Sequence, residues 1–448
     1  MSSKKIFVLD TNIILQNAES IFGFGDNVVV IPGPVIAEIE KKKNDSGEVG
    51  YNARSAARII EDLMLAGNLA KGVSLKNGGK LLVVGDYRNV DIPDDWDNGM
   101  DYRILQIVVG ITNNHSSQVV LVTNDSYLKI KANSIGIPVE SYKNESVNTY
   151  YTGRHEIEVP VNTINSYYNR RFLTISEVQK YSNKPIYINE YILLKEACGN
   201  KSLILFVEQG GQCTNIYDGH NDPVIKPRNL GQQYMYDALF RNSSSYPLTI
   251  IKGPAGTGKT LFALNSGLNS IEKGNHKKIL YLRGNTKLDD DIGYLPGTEQ
   301  EKMDWALRPV RDNLEILLKK DSEFRKSDIH KDIEKLLEQH IIEIEAVAHM
   351  RGRSINNAFV IIDEAQNLTP NQIKTLLSRS ASDTKIVLLG DPYQIDHPYL
   401  NFYTNGLSFA SEKMKGSNLT IQVALKESEC ERSELSMDVL NRMGWYKW

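Results

Sequence analysis

The stretch Gly253-Pro254-Ala255-Gly256-Thr257-Gly258-Lys259-Thr260 follows the pattern G-x-x-x-x-G-K-T. Glycines at these positions let backbone N–H groups close around phosphate oxygens, and a helix N-terminus behind them adds partial positive charge. Lys259 is placed to reach the β- and γ-phosphates of ATP, and Thr260 to ligate Mg²⁺. Downstream, residues 359–370 (FVIIDEAQNLTP) end an apolar run in two carboxylates. Asp363 suits the Mg²⁺ shell and Glu364 the polarisation of an attacking water. Paired acids at a strand end also cap helices, and the phosphate loop upstream favours the catalytic reading. Residues 386–396 (IVLLGDPYQID) end a third apolar run, where Asp391 and Gln394 are placed to sense a γ-phosphate. In this order, the three elements point to a nucleic-acid-dependent motor.

A second set of acids lies near the N-terminus. Asp10 ends FVLD, Glu38 opens a helix after VVVIPGPV, Asp101 starts DYRILQIVVG and Asp125 follows LVTN. In a parallel α/β sheet, groups at strand C-termini converge on one crevice. Acids placed there repel one another unless a cation neutralises them. Hard oxygen ligands suit Mg²⁺ or Mn²⁺, and two such ions activate water and stabilise the leaving oxygen in phosphodiester cleavage. Glu38 and Asp101 also fit the role of a helix cap or dipole partner. Lys41, Lys42, Lys43, Arg54 and Arg58 are placed either to hold phosphates at this site or to form a solvated helix face.

The elements that must position these residues form an α/β pattern. Residues 4–145 alternate strands (5–9, 28–31, 80–84, 119–122) with helices (35–43, 53–66, 100–112), which implies a parallel sheet. Residues 44–50 read as a loop between helices. From 150 to 226, short β-branched and aromatic runs at 186–194, 202–209 and 213–217 predict a small β-rich module, with 218–229 as a linker. Beyond it, strands at 248–252, 278–282, 341–346, 358–362 and 385–389 alternate again with helices, and 299–339 reads as long, charged, helical and mostly exposed. Three domains result: 1–146, 147–226 and 227–448.

Bulk composition agrees. The chain has 448 residues, 41% hydrophobic and 24% charged, as in a soluble globular protein of two or three domains. No apolar run approaches the roughly 18 residues that cross a membrane. Asp10 and Asn12 interrupt the N-terminal apolar run and no small-residue cleavage site follows, which argues against a signal peptide. Cys198, Cys213 and Cys430 lie far apart without metal-ligand spacing, which fits a reducing cytoplasm. The net charge of −3 neither supports nor excludes a nucleic-acid partner.

GPAGTGKT, RGRS (351–354), VIIDEAQNLTP and LLGDPYQID together resemble the PhoH family of ATPases, which is related to superfamily 1 helicases. PRNLGQ, IGYLPGTEQEKM and ERSEL extend that resemblance over nearly all of residues 227–440. It implies a RecA-like P-loop domain in which Gln232, or Gln233 in a neighbouring register, reads the adenine edge. It also implies that Arg432 or Arg353 supplies positive charge to the γ-phosphate, and that a ring-shaped hexamer brings an arginine to a neighbour's ATP. The family often has Arg-Pro after the second strand; Arg283-Gly284 stands here, so no role is carried over.

VLDTNIIL, VIAEIEKKK, DYRIL and LVTNDSYLKIKANSIGIPVESY resemble a PIN domain, a ribonuclease fold, over residues 4–143. Asp10, Glu38, Asp101 and Asp125 fall on that family's metal-binding acids. Thr11, Asn12, Thr123 and Asn124 fall on its supporting polar positions. Asp97 is an alternative to Asp101, and Glu40 neighbours Glu38. A PIN domain followed by a PhoH domain is a recognised fusion. The resemblance implies an ATP-dependent, RNA-unwinding ribonuclease acting on single-stranded or tailed RNA, with ATP and with Mg²⁺ or Mn²⁺ at both sites, and no membrane partner. Two other readings are a motor whose N-terminal domain only binds RNA and a nucleotide-controlled scaffold with slow ATP turnover.

Overall fold

Runs of valine and isoleucine, too short for an average helix, form the first sheet. The structure, a computed structural model, describes residues 4–45, 47–87, 90, 92–93, 99–142, 150–216, 224–284, 299–320, 328–350, 353–397, 400–431, 438 and 442. They form two compact units, one up to residue 142 and one from residue 150 onward. The first unit runs β1 (Ile6–Leu9), α1 (Thr11–Gln16), β2 (Val28–Pro32), α2 (Gly33–Lys42), α3 (Gly47–Ala66), β3 (Val73–Ser74), β4 (Lys80–Val84), α4 (Met100–Asn114), β5 (Val119–Val122), α5 (Ser126–Ser134) and β6 (Val139–Glu140). The sheet order is β3-β4-β2-β1-β5-β6, parallel except where β3 meets β4. Every residue of β1 and β5 is buried, as a parallel sheet covered on both faces requires. The chain winds outward from β1 through β2 to β4, then returns to add β5 on the other side of β1. The ends of β1 and β5 therefore flank the point where a crevice opens.

Two local expectations need correction. Glu38 does not open a helix; Pro34 fits the first turn, where its missing N–H is harmless, so α2 starts at Gly33 and Glu38 sits in its second turn. Likewise α3 begins at Gly47, inside the stretch expected to be a loop.

In the second unit, β7 (Arg154–Val159), α6 (Val161–Arg170), β8 (Leu173–Thr174), α7 (Ile175–Gln179), β9 (Tyr191–Glu196), β10 (Ser202–Val207) and β11 (Gln212–Asn215) form a five-stranded sheet in the order β7-β9-β10-β11-β8. β7 alternates buried and open positions, pairs in parallel with β9 and was not among the expected strands. α6 packs against β8 and β9, so the β-rich module carries helix beside its sheet. There follow α8 (Leu230–Phe240), β12 (Leu248–Lys252), α9 (Lys259–Glu272), β13 (Lys278–Arg283), α10 (Glu299–Lys320), α11 (Ile329–Glu338), β14 (Ile342–Ala346), β15 (Ala358–Asp363), α12 (Pro370–Leu377), β16 (Lys385–Gly390), α13 (Gly406–Lys413) and β17 (Thr420–Ala424). Their sheet has the order β14-β13-β15-β16-β12-β17 and is parallel throughout. The segment expected to be mostly exposed buries one face: Val310, Leu314, Leu317, Leu318 and Ile333 all join the core. Among the described residues no helix is long and apolar enough to cross a membrane.

The five-stranded module shares a core with the parallel sheet. Tyr191 and Phe206 lie in one buried cluster with Tyr234, Ile251 and Phe262. The Tyr191 hydroxyl donates to Asp237 at 2.6 Å, Arg241 Nε donates to the same carboxylate at 2.7 Å, and the Arg241 guanidinium stacks 3.6 Å above the Phe206 ring.

Lys385 is fully buried, and its Nζ donates to the carbonyls of Ala238, Leu239 and Arg241 at 3.2, 2.7 and 2.8 Å, where α8 ends. It thus satisfies carbonyls that the helix cannot. Burial pulls its ammonium down to about 7, and does the same to buried Lys252. The folded chain therefore binds fewer protons than the unfolded one between about 7 and the ordinary lysine value of 10.5, so stability rises with pH across that window. Lys385→Met is expected to flatten part of that rise, Lys252 and Lys259 supplying the remainder. It should also lower stability by roughly 1–3 kcal/mol through the undonated carbonyls. Thermal melts of the second unit across this pH range check both effects.

Candidate functional site

β12 delivers the chain to the phosphate loop. Gly253, Gly256 and Gly258 take φ of 154°, 84° and 88°, and a Cβ on Gly253 would stand 2.6 Å from that of Leu425. Larger residues are therefore excluded at the first of these positions. Lys259 opens α9, and its Nζ donates to the carbonyls of Gly253 and Pro254 at 2.6 and 2.9 Å. Burial lowers its pKa, and the charges of Asp363, Asp391 and Glu364 oppose that shift. Thr260 Oγ1 donates to Asp363 Oδ2 at 2.8 Å, and the Tyr281 hydroxyl donates to the same oxygen at 2.7 Å. Thr260 and Asp363 therefore stand together, as a shared Mg²⁺ shell demands.

Glu364 follows β15 in the left-handed region, with φ of 52°. Such backbone strain in a non-glycine residue clusters at functional sites. Burial and then the adjacent Asp363 charge raise its carboxyl pKa. Gln366, fully buried, donates from Nε2 to Glu364 Oε2 at 2.6 Å and to the Gln394 carbonyl at 2.8 Å. Its Oε1 accepts from Asp391 N at 3.1 Å. One amide thus ties the acid pair to the downstream Asp391–Gln394 turn. The letters DEAQ were visible in the sequence, but the bridge exists only because β15 and β16 are neighbours.

Gln232, in α8, lies against the loop: its Nε2 donates to the Thr257 carbonyl at 3.3 Å and its Oε1 accepts from Arg228 N at 2.9 Å. Gln233 is half-buried. The segment after β17 closes over the loop from the other side, with Glu431 N donating to the Gly256 carbonyl at 3.0 Å. Glu429, two residues earlier, is held by a bidentate pair from Arg154, both bonds at 2.8 Å and both side chains almost wholly buried. The five-stranded module therefore reaches the phosphate loop through β7. Arg353 is not brought to this loop; it pairs with Glu345 at 2.7 Å beside edge strand β14, across the sheet from β12. Arg351, Arg432 and Asp97 lie outside the described residues.

In the first unit, Asp10 caps α1 at the end of β1. Its Oδ1 accepts from Thr11 N at 2.6 Å, and its Oδ2 accepts from Thr123 Oγ1 at 2.6 Å and Asn12 Nδ2 at 2.7 Å. Glu38 Oε2 accepts from Thr11 Oγ1 at 2.6 Å. Asp125 caps α5, with Oδ1 accepting from Leu128 N at 2.9 Å, and Asp101 lies in the first turn of α4. Asn124 Nδ2 donates to Gln16 at 2.9 Å. Burial raises the Asp10 carboxyl to about 7 against the Thr123 and Thr11 hydrogen bonds, and the charges of Asp101 and Glu38 add to the rise. Asp101 is raised by burial and then by Asp125 and Glu38, while Lys131 pulls it back. The four sequence-predicted acids therefore share one electrostatic neighbourhood. Among the described residues no three acid, histidine or cysteine side chains stand close enough around one point to hold an ion as they lie. The donor chemistry fits a hard divalent cation: all oxygen, and mutually repelling.

Part of the basic set expected beside this cleft is engaged locally. Lys42 pairs with Asp45 at 3.1 Å, Lys43 with Glu40 at 3.5 Å, and Arg54 donates to the Lys43 carbonyl at 2.6 Å.

The PIN domain family matches residues 7–143, and the PhoH-like protein family matches residues 224–443. Protein PhoH2 of Bacillus subtilis (strain 168) is 35% identical over 451 residues, covering 97% of this chain and 100% of that protein. Protein PhoH2 of Thermobispora bispora is 29% identical over 431 residues, covering 95% and 94%. Protein PhoH2 of Mycolicibacterium smegmatis is 29% identical over 433 residues, with the same coverage.

Gln366→Leu removes the hydrogen bonds that Gln366 makes to Glu364, the Gln394 carbonyl and the Asp391 N–H. ATP turnover is expected to fall about tenfold or more, since removing one partner of a buried hydrogen bond costs roughly 1–3 kcal/mol. Affinity for a non-hydrolysable ATP analogue should change less than about threefold, because Lys259 and the glycine loop are untouched. Steady-state kinetics beside equilibrium binding separates the two.

Proposed function

The chain belongs to the family of PIN–PhoH fusion proteins, and we propose that it couples ATP hydrolysis to the unwinding and cleavage of RNA. The observation that carries this reading is the pairing, on one chain, of a phosphate loop wired to Glu364 and Asp391 with a cleft of four interacting carboxylates. Residues 1–146 form the nuclease domain, 147–226 the connecting module and 227–448 the ATPase domain.

At the ATP site, the glycine-loop N–H groups and Lys259 hold the phosphates, and Gln232 faces the base. Thr260 and Asp363 hold Mg²⁺. Glu364, its pKa raised by burial, accepts a proton from the attacking water. Gln366 passes the state of that site to Asp391 and Gln394, so the strand-gripping surface changes with hydrolysis. Arg432 or Arg353 serves a neighbouring subunit's ATP in a ring-shaped hexamer; the Arg353–Glu345 pair must then open.

At the cleft, Asp10, Glu38, Asp101 and Asp125 hold Mg²⁺ or Mn²⁺, which supplies an activated water and stabilises the leaving oxygen. Thr11, Asn12 and Thr123 orient Asp10 and Glu38 by the hydrogen bonds given above. A crevice at the carboxyl ends of β1 and β5 would admit single strands, so the motor's part is to free them.

A second reading, in which the first unit holds RNA without cutting it, is favoured by one observation: the acids do not yet converge around one point.

Lys259→Ala should abolish ATP hydrolysis and the unwinding of a tailed duplex, yet leave metal-dependent cutting of short single-stranded RNA. Asp10→Asn should do the reverse, lowering cleavage about a hundredfold or more. Equal unwinding by Lys259→Ala and wild type would remove the motor assignment. Undiminished cutting by Asp10→Asn would support the second reading's non-catalytic acids.

A further inference from the structure

The helix α5 is tied to the acidic cleft at its first residue, because Asp125 is its N-cap. Leu128 and Ala132 turn inward and are fully buried. The opposite face carries Tyr127, 77% exposed, and Ile130, 65% exposed. Two large apolar side chains left this open, side by side on one helix, mark a surface that meets something. Lys131 stands four residues after Tyr127, hence on the same face one turn along. Its ammonium acts on Asp101, and Lys129 on the same helix interacts with Asp125.

We propose that this face of α5 receives the single-stranded RNA about to enter the cleft, with a nucleobase stacked on the Tyr127 ring and an adjoining phosphate held by Lys131. The choice of RNA as the occupant, and the direction in which the strand proceeds, rest on reading the cleft as a nuclease site.

The occupant follows from charge and size. A polyanion approaching four carboxylates is repelled, so its entry needs cations on the rim. Lys129 and Lys131, on the helix that Asp125 caps, provide them. An aromatic ring one helical turn from a lysine matches the alternation of base and phosphate along an unpaired strand. Stacking on a ring is available to any base, so the surface takes strands without reading their sequence. Two apolar side chains are far too small a core for a stable protein interface.

The test uses the full chain carrying Asp10→Asn and a short single strand of 4-thiouridine RNA, cross-linked by light and mapped by mass spectrometry. The nucleotide is expected on the peptide spanning Tyr127 to Lys131. Tyr127→Ala should remove that adduct and Tyr127→Phe should restore it. In the cleaving chain, Tyr127→Ala should raise KM about tenfold with kcat little changed. Lys131→Gln should lower the salt dependence of KM by about one phosphate contact. RNA bound elsewhere on the chain with no adduct on α5 overturns the proposal, as does an unchanged KM and salt dependence in both variants. An adduct at Tyr127 on a chain that never cleaves keeps this surface and removes the nuclease reading instead.

Discussion

Like charges forced together at the ends of parallel strands are the constraint on which both halves of this molecule depend. Burial lifts the Asp10 carboxyl to about 7, and the charges of Asp101 and Glu38 add to the rise. Glu364 sits beside Asp363 and is lifted in the same way, by burial first and by its neighbour second. A fold that tolerates such crowding holds each acid with directed hydrogen bonds. Thr123, Thr11 and Asn12 do this for Asp10; Thr260 and Tyr281 do it for Asp363. The acids are thereby fixed in place while their repulsion stays uncancelled, which makes both crevices receptive to a divalent cation.

The second consequence concerns the middle of the chain. Its five-stranded sheet is not a spacer. It contributes Tyr191 and Phe206 to the ATPase core, and β7 places Arg154 against Glu429 in a nearly dry setting. Removing one partner of such a pair strands the other charge, so the pair specifies how the segment after β17 must lie. That segment is the one whose Glu431 N–H meets the phosphate loop. Any movement of the module relative to β17 is therefore felt at Gly256.

Much of this was legible in the residues. The strands at 119–122 and 248–252 stand where their apolar runs lie, because buried parallel strands leave little room for ambiguity. The phosphate loop and the acid pair were equally plain, since their spacing is local. What the sequence hid is long-range. Arg154 and Glu429 are 275 positions apart, and no periodicity joins them. Gln366 reads as part of a motif, yet its role appears only once β15 and β16 lie side by side. β7 escaped notice because RHEIEV carries polar residues at every second position, the mark of a strand with one open face. Lys385 reads only as the first residue of a strand, and its burial depends on where α8 ends.

The central claim is that ATP acts by delivering strands to the cleft and not by altering the chemistry there. It is tested most directly by comparing metal-dependent cleavage of one RNA sequence presented as a free single strand and as a tailed duplex, each with and without ATP. The account predicts that ATP leaves cleavage of the free strand unchanged and switches on cleavage of the duplexed one. Equal ATP dependence of the two substrates, or none for either, would contradict it.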